Sequence, residues 1–155
     1  MSPRFRHRRH LPHQDLQSGC VFLTWRLHRS HARLSPTERD VALDVIIRTP
    51  PEWCELLTLV VMDDHIHVLV RLTGAKTSRQ LAQAWKSIGS REIALLGWKR
   101  PPIWQAEYFD RPMKDAGQIE ACARYIVANP HERWPDLHEY RWVRALRRPP
   151  QARRP

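Results

Sequence analysis

Short segments whose apolar positions either alternate with polar ones or form a continuous run predict four β-strands. Residues 20–27 (CVFLTWRL) combine an apolar face with a mixed face. Two apolar runs, residues 56–62 and 65–72, lie on either side of an Asp-Asp pair that is typical of a turn, so they predict a hairpin. Residues 103–109 (IWQAEYF) form the fourth predicted strand.

Apolar residues at helical spacing predict two helices before the fourth strand, at residues 35–48 and 77–98. The first helix opens with Ser35, Pro36 and Glu38, which is the pattern of an N-cap, a first-turn proline and a capping box. The second helix carries leucine, tryptophan and isoleucine on one side. Both segments are therefore expected to dock on the predicted strands through one apolar face.

A third helix is predicted at residues 115–130 (DAGQIEACARYIVANP). We expect it to end at Asn129, because Pro130 cannot donate a backbone hydrogen bond. Tyr125 and Asn129 are four residues apart, so they lie one above the other on a face turned away from the apolar stripe. The sequence gives no firm prediction for the segment from Pro130 to residue 146.

The predicted order is strand, helix, strand, strand, helix, strand, followed by the extra C-terminal helix. This β-α-β-β-α-β order predicts an α+β protein with a ferredoxin-like antiparallel sheet. In that topology the first and third strands are central, so residues 65–72 are expected to lie inside the sheet. The face of this strand that carries its histidines is predicted to be the one that the first two helices leave uncovered.

The two ends of the chain carry much of its positive charge. Residues 1–15 and residues 147–155 contain four arginines each, and the whole chain has a net charge of +10. Both ends are also rich in proline, so we expect mobile basic arms around one domain at residues 16–146. Basic arms suit a polyanion such as nucleic acid, although the same charge can also serve only to keep a protein in solution.

No apolar run approaches the roughly 20 residues of a membrane span. The basic N-terminus is not followed by the apolar segment of a signal peptide, so we expect a cytoplasmic protein without membrane contact. Cys20, Cys54 and Cys122 are odd in number and form no CxxC pair. Neither a disulfide framework nor a cysteine zinc site is therefore indicated.

His65 and His67 are the residues with the clearest chemical potential. They are two positions apart on a predicted strand, so their imidazoles point to the same face. If the last helix brings Asn129 close, two imidazoles and an amide oxygen would supply three neutral ligands to a divalent cation. The phenol of Tyr125 beside them could then attack a phosphodiester. Purely structural roles for these side chains stay open at this point.

These residues carry a resemblance to a known family. His65-Ile66-His67 after an apolar strand, the YIxxNP pattern from Tyr125 to Pro130, and Trp104-Gln105 upstream resemble the REP-associated tyrosine transposases, within the single-tyrosine HUH transposases. The similarity covers most of the chain outside its arms. It implies a DNA-cutting enzyme of the bacterial cytoplasm whose substrates are repetitive palindromes that fold as hairpins.

The resemblance also implies a role for each matching residue. His65 and His67 would bind Mg²⁺ or Mn²⁺, with Asn129 as the third ligand. Tyr125 would be the nucleophile that keeps a 5′-phosphotyrosine link and releases a 3′-hydroxyl. The residues expected to contact DNA are Arg26, Arg71, Trp104, Gln105 and Arg124.

Two departures from the family pattern concern DNA contacts. A small-residue sequence of the AGL type commonly follows the NP of the family, whereas this chain continues with HERWPDL. The histidine that often follows the aromatic strand is missing from FDRPMK. Neither departure removes a proposed ligand or the nucleophile.

Two other classes of protein compete with the enzyme. A non-catalytic module that binds single-stranded nucleic acid would have the same fold, but it would need exposed aromatic residues on its strands, and residues 65–72 contain none. A zinc protein would need further nitrogen or sulfur ligands, and no second cluster is visible. Whether the chain acts as a monomer or a homodimer is left open.

Overall fold

The computed structural model describes residues 15–146 and contains the predicted strands and helices in the predicted order. The elements are β1 (Cys20–Leu27), α1 (Pro36–Ile47), β2 (Cys54–Val61), β3 (His65–Leu72), α2 (Ser78–Leu95), β4 (Trp104–Met113), α3 (Ala116–Arg133) and β5 (Val143–Ala145). The two basic arms, apart from Asp15, lie outside the described residues. None of the helices within residues 15–146 combines the length and apolarity needed to cross a bilayer.

The five strands form one antiparallel sheet in the order β4-β1-β3-β2-β5. β1 and β3 are the central pair, and β5 is added at the edge beside β2. This confirms the ferredoxin-like α+β fold. On β3, His67 lies opposite Thr24 of β1 and Val60 of β2, so the histidine strand is interior, as predicted.

The sheet has a helix layer on each face. On β3, Ile66, Val68 and Val70 belong to the core under α1 and α2, whereas Leu69 belongs to the core under α3. Because side chains alternate along a strand, His65 and the residues two and four positions after it share one face. That face is left uncovered by α1 and α2 and is covered by α3.

The predicted start of α1 is confirmed in detail. Ser35 Oγ accepts a hydrogen bond from the Glu38 backbone N–H at 3.2 Å, and Glu38 Oε1 accepts one from the Ser35 N–H at 2.8 Å. Glu38 is fully buried and also pairs with Lys99 at 2.8 Å. Glu38 therefore links the start of α1 to Lys99, which is 61 residues later in the chain.

α3 corrects one prediction, since the helix continues through Pro130 to Arg133. Proline removes its own N–H donor and crowds the carbonyl four residues before it, but the Pro130 carbonyl still accepts a hydrogen bond from the Trp134 N–H at 2.8 Å. Pro130 lies in the last turn of an 18-residue helix and is buried, so one missing bond near the helix end does not stop the helix. Asn129 is therefore an interior helical residue and not a terminator.

The segment after α3, which the sequence left without a prediction, returns to the sheet. β5 pairs with β2, with Val143 opposite Val60. The hydroxyl of Tyr140 donates to the Val61 carbonyl at 2.7 Å. These contacts hold residues 134–142 beside the end of β2, next to the turn that leads into the histidine strand.

Candidate active site

Four of the residues singled out in the sequence come together between β3 and α3. The ring centroids of His65 and His67 are 4.5 Å apart, and those of His67 and Tyr125 are 5.6 Å apart. The Nε2 atom of His65 lies 3.1 Å from Oδ1 of Asn129. The alternation of the strand and the four-residue spacing on the helix are what bring these side chains to one place.

His65 is oriented by a carboxylate. Its Nδ1 lies 2.7 Å from Oδ1 of Asp64, and because a carboxylate can only accept, Nδ1 carries the hydrogen. The hydrogen bond with His65, helped by the nearby Arg133 guanidinium, holds the pKa of Asp64 well below its usual range, although partial burial opposes this. In the neutral imidazole the lone pair is then on Nε2, the nitrogen that faces Asn129.

The contact between His65 and Asn129 joins two acceptor atoms in this tautomer. A close approach of a lone pair and an amide oxygen is unfavourable unless a metal cation lies between them, or a proton does in the imidazolium form. Adjacent ligands of an octahedral Mg²⁺, each at about 2.1 Å, are about 3.0 Å apart, which is close to the observed 3.1 Å. If the Asn129 amide were turned so that its nitrogen donates to Nε2, the same contact would need no cation. In the orientation observed, the pair fits a metal site.

His67 is buried more deeply than His65, with 1% of its surface exposed. Its Nδ1 shares a 2.6 Å hydrogen bond with the Thr24 hydroxyl, so a ligand role would fall to Nε2. Its ring also packs against Phe22, with centroids 5.0 Å apart, and Phe22 meets the edge of Tyr125. The strand β1 therefore fixes the second imidazole from one side.

Tyr125 is half-buried on α3. Burial raises the pKa of its phenol, the charge of Glu132 raises it further, and the Arg26 guanidinium opposes both effects. The phenol is therefore protonated at neutral pH and has to lose its proton to act as a nucleophile. Arg26 on β1 is the positive charge that favours the resulting phenolate.

Arg133 is a functional candidate that the sequence analysis missed. Its Nη2 lies 3.0 Å from Asp63, and its Nη1 lies 3.1 Å from Asp64, the residue that orients His65. Arg133 is four residues after Asn129, which is itself four after Tyr125, so all three share one face of α3. The spacing was visible in the sequence, but it had no meaning while the helix was expected to end at Asn129.

Of the residues predicted to contact DNA, Arg26 is the one that the structure places beside the tyrosine. Its charge acts on the phenol of Tyr125. Arg124 is exposed on α3 and forms a 3.0 Å ion pair with Glu120. The Arg124 guanidinium is accessible to a ligand, which would have to compete with the Glu120 carboxylate.

The other three residues have partners within the chain, and DNA contacts through Arg71 and Gln105 stay predictions. Trp104 is only 6% exposed and packs in the core under α1 and α2, so stacking of its ring on a base is not compatible with the structure. Gln105 donates from Nε2 to the Leu27 carbonyl at 3.0 Å. Arg71 pairs with Glu55 at 3.0 Å, at the end of β3 opposite to the histidines. Trp104 is buried because α2 covers its face of the edge strand β4. Arg71 lies away from the site because it is six residues after His65 on β3.

The composition of the site limits which metals it suits. Within residues 15–146, no three His, Cys, Asp or Glu side chains are grouped so that they could hold a metal ion, so a cation bound here would depend on the amide of Asn129. Burial raises the pKa of the Cys54 and Cys122 thiols to about 12, and both stay protonated. A nitrogen and oxygen ligand set with no thiolate is more typical of Mg²⁺ or Mn²⁺ than of structural zinc.

Comparison with known proteins gives a consistent result. Residues 23–129 match the model of the family described as "Transposase IS200 like". A REP-associated tyrosine transposase bound to a REP hairpin has a similar structure, with a TM-score of 0.67, 17% identity, and coverage of 86% of this chain and 81% of the other. A Deinococcus radiodurans R1 protein proposed to be a transposase has a TM-score of 0.50, 19% identity, and coverage of 80% and 96%. No curated protein matches.

Proposed function

This chain belongs to the IS200-like transposase family, and from that premise we propose that it cuts and rejoins single-stranded DNA through Tyr125. The observation that carries the proposal is the grouping of Tyr125 with His65, His67 and Asn129 in one site between β3 and α3. A nucleophile next to a set of neutral ligands suits attack on a phosphodiester, whose charge a cation would balance.

We propose hairpin-forming DNA as the substrate. The similar REP-associated tyrosine transposase is bound to a REP hairpin, and the present chain shares its fold over most of both lengths. A net charge of +10 favours a polyanionic ligand. The recognised sequence is a separate question, because three of the five residues expected to contact DNA (Arg71, Trp104 and Gln105) are buried or have partners within the chain.

The residues that would hold a divalent cation are His65 through Nε2, His67 through Nε2, and Asn129 through Oδ1. When bound, Mg²⁺ or Mn²⁺ would polarise the scissile phosphate. Asp64 and Arg133 act on this site indirectly. They hold the His65 ring with its Nε2 lone pair directed toward Asn129, which is the usual role of a carboxylate behind a ligating histidine.

The cleavage step that we propose balances as follows. The phenolic oxygen of Tyr125 forms a bond to phosphorus, and the bond from phosphorus to the 3′ oxygen breaks. Tyr125 loses its proton and the departing 3′ oxygen gains one, so the products are a 5′-phosphotyrosine and a 3′-hydroxyl. Arg26 favours loss of the proton, because its charge opposes the pKa increase that burial imposes on the phenol. Attack by a 3′-hydroxyl on the phosphotyrosine reverses the step and rejoins DNA.

The test is incubation of the full chain with labelled single-stranded hairpin DNA and Mg²⁺ or Mn²⁺. We expect a protein–DNA adduct that survives denaturation and that disappears in Tyr125→Phe. Tyr108→Phe is the matched control, because Tyr108 is a buried residue of β4 that we place outside the site. An adduct in Tyr125→Phe would exclude Tyr125 as the nucleophile. Tight binding without any adduct in the wild type would instead favour a non-catalytic single-strand binding module.

A further inference from the structure

A cleft of about 940 Å³ opens beside the turn that precedes the histidine strand. We call it the Arg–Trp cleft, and its defining residues are Arg39, Arg133, Trp134, Tyr140, Arg141 and Trp142. It lies where residues 134–142 pass α1, on the side of the sheet formed by β2 and the edge strand β5. Its size is within the range of small-molecule sites.

The aromatic side chains of the cleft form a continuous series. The rings of Trp134 and Tyr140 stack with centroids 5.6 Å apart, and Tyr140 meets Trp142 edge to face at 5.3 Å. All three are half-buried and are held in place by β5 and by the hydrogen bond from Tyr140 to the Val61 carbonyl. Ordered, partly exposed rings are the usual platform for an unpaired nucleobase, because every base has a π face.

Arg39 is the unusual member of the cleft. Its guanidinium lies 4.0 Å from the centre of the Trp142 ring, and its Nη1 donates a long 3.4 Å hydrogen bond to Tyr140. Among residues 15–146 it forms no ion pair, and its buried Nε has no hydrogen-bond partner. By contrast, Arg141 pairs with Asp40, and Arg133 pairs with the Asp-Asp turn. A half-buried guanidinium that pairs with no carboxylate can form charge-assisted hydrogen bonds with an external anion.

The cleft and the candidate active site are adjacent, and Arg133 contributes to both. Arg133 lines the cleft and also binds Asp63 and Asp64, the second of which holds His65. Two acidic residues, Asp136 and Glu139, line the cleft as well. Their negative charges would repel a run of several phosphates. Arg39 is then the position at which a single phosphate could bind. The cleft therefore suits a single nucleotide of a strand that continues into the active site.

We propose that the Arg–Trp cleft binds one unpaired nucleotide of the DNA strand next to the cut, with a phosphate on Arg39 and the base against the aromatic rings. The identity of the ligand as DNA rests on the proposed function. The cleft itself does no chemistry, and its role is to fix the register of the strand relative to Tyr125.

The first test compares two arginine variants of the full chain. Arg39→Gln should weaken binding of a hairpin with a short unpaired extension by about tenfold or more, because a hydrogen bond to a charged group is lost. The slope of log affinity against log salt should become shallower by about 0.7, the value for one single-strand phosphate. Arg48→Gln is the matched control: Arg48 ends the same helix but already pairs with Asp44 and Glu92. Equal slopes in the two variants would overturn the proposal.

The second test needs no protein variant, so it stands even if Arg39→Gln folds poorly. A neutral methylphosphonate is placed at each linkage of the unpaired extension in turn. One position should weaken binding to the wild-type protein as much as Arg39→Gln does, and that position should have no further effect in the variant. A 2-aminopurine beside it should lose fluorescence on binding through stacking. A uniform effect at every linkage and an unchanged fluorescence would overturn the proposal.

The two proposals fail in different ways. If the wild type forms no adduct with Tyr125 but one linkage and one base still respond, the chemistry is wrong and the cleft assignment holds. If the adduct forms normally and Arg39→Gln changes neither the salt slope nor the cut position, the chemistry holds and the cleft assignment is wrong.

Discussion

The two faces of β3 are used in opposite ways, although the same eight residues supply both. The face toward α1 and α2 carries Ile66, Val68 and Val70, which are buried at 0–1% exposure and make only apolar contacts in the larger core. The face toward α3 carries His65 and His67, which are also buried. A buried imidazole is costly unless it is hydrogen-bonded, so this face needs polar partners that the other face does not.

Those partners come from three other elements of the fold. Thr24 on β1 hydrogen-bonds His67, and Asp64 in the turn hydrogen-bonds His65. Asn129 on α3 places its Oδ1 3.1 Å from the other ring nitrogen of His65, where the two atoms could share a cation. One face of β3 therefore holds the sheet to α1 and α2, while the other holds chemical groups in fixed directions. Changes on the two faces should therefore separate stability from activity.

The largest effect is expected from the α3 face. Tyr125→Phe and His65→Ala should each lower the rate of adduct formation with hairpin DNA by more than about a thousandfold, because groups acting as one unit fail together. The double variant should be little worse than either single variant. The measurement is the single-turnover rate of each. Strictly additive losses would mean that the two residues act in separate steps.

A substitution on the apolar face of β3 should instead lower stability and leave activity unchanged. Ile66→Ala should lower the free energy of unfolding by about 2–5 kcal/mol, since it leaves a cavity in the core under α1 and α2. The rate of adduct formation per folded molecule should be unchanged well below the melting temperature. Urea unfolding and single-turnover kinetics together check this. A variant that kept its stability but lost its activity would contradict the division between the two faces.

A smaller effect is expected from the residue that supports the histidine face from α3. Arg133→Ala should lower Mn²⁺ affinity, followed by electron paramagnetic resonance, by about 10- to 100-fold, because the Asp64 carboxylate that orients His65 loses its anchor. Arg133→Lys should restore part of the affinity. Arg48→Ala is the control, since Arg48 also pairs with two carboxylates but lies at the end of α1. Equal affinities in the alanine variants would assign Arg133 a purely structural role.

The smallest effect concerns the cysteines, of which Cys54 lies in the core under α1 and α2 and Cys122 in the core under α3. Burial raises the pKa of both thiols to about 12, whereas an unfolded cysteine has a pKa of about 8.5. The unfolded state therefore loses protons first, and stability is present below pH 8.5 and falls as the pH rises above it. At pH 10 each thiol should cost up to about 2 kcal/mol. Cys54→Ala and Cys122→Ala should each flatten the fall of urea midpoints with pH, and an unchanged slope would argue against deep burial.

Much of the histidine strand was predictable because its signals are local. Alternation along residues 65–72 is enough to place both imidazoles on one face, and the Ser35–Glu38 capping box depends only on neighbours in sequence. The order of elements then predicts that β1 and β3 are central, since connections in this topology leave few alternatives. Four residues of the candidate site were recognised on this basis.

The supporting residues were missed for the opposite reason. The pairing of Arg133 with Asp63 joins positions 70 residues apart. It exists only because α3 continues past Pro130 to Arg133, which the local rule for proline does not predict. Likewise, Trp104 was expected at the DNA, yet α2 covers its face of the edge strand and buries it.

The sequence by itself determined which side chains share a face, because period and capping are set by backbone geometry within a few residues. Only the tertiary structure decided what each face meets, because that depends on which distant element packs against it. The polar face of β3 became a site when α3 placed Tyr125, Asn129 and Arg133 over it. The half-exposed Arg39 acquired aromatic neighbours only when β5 brought the chain back beside α1.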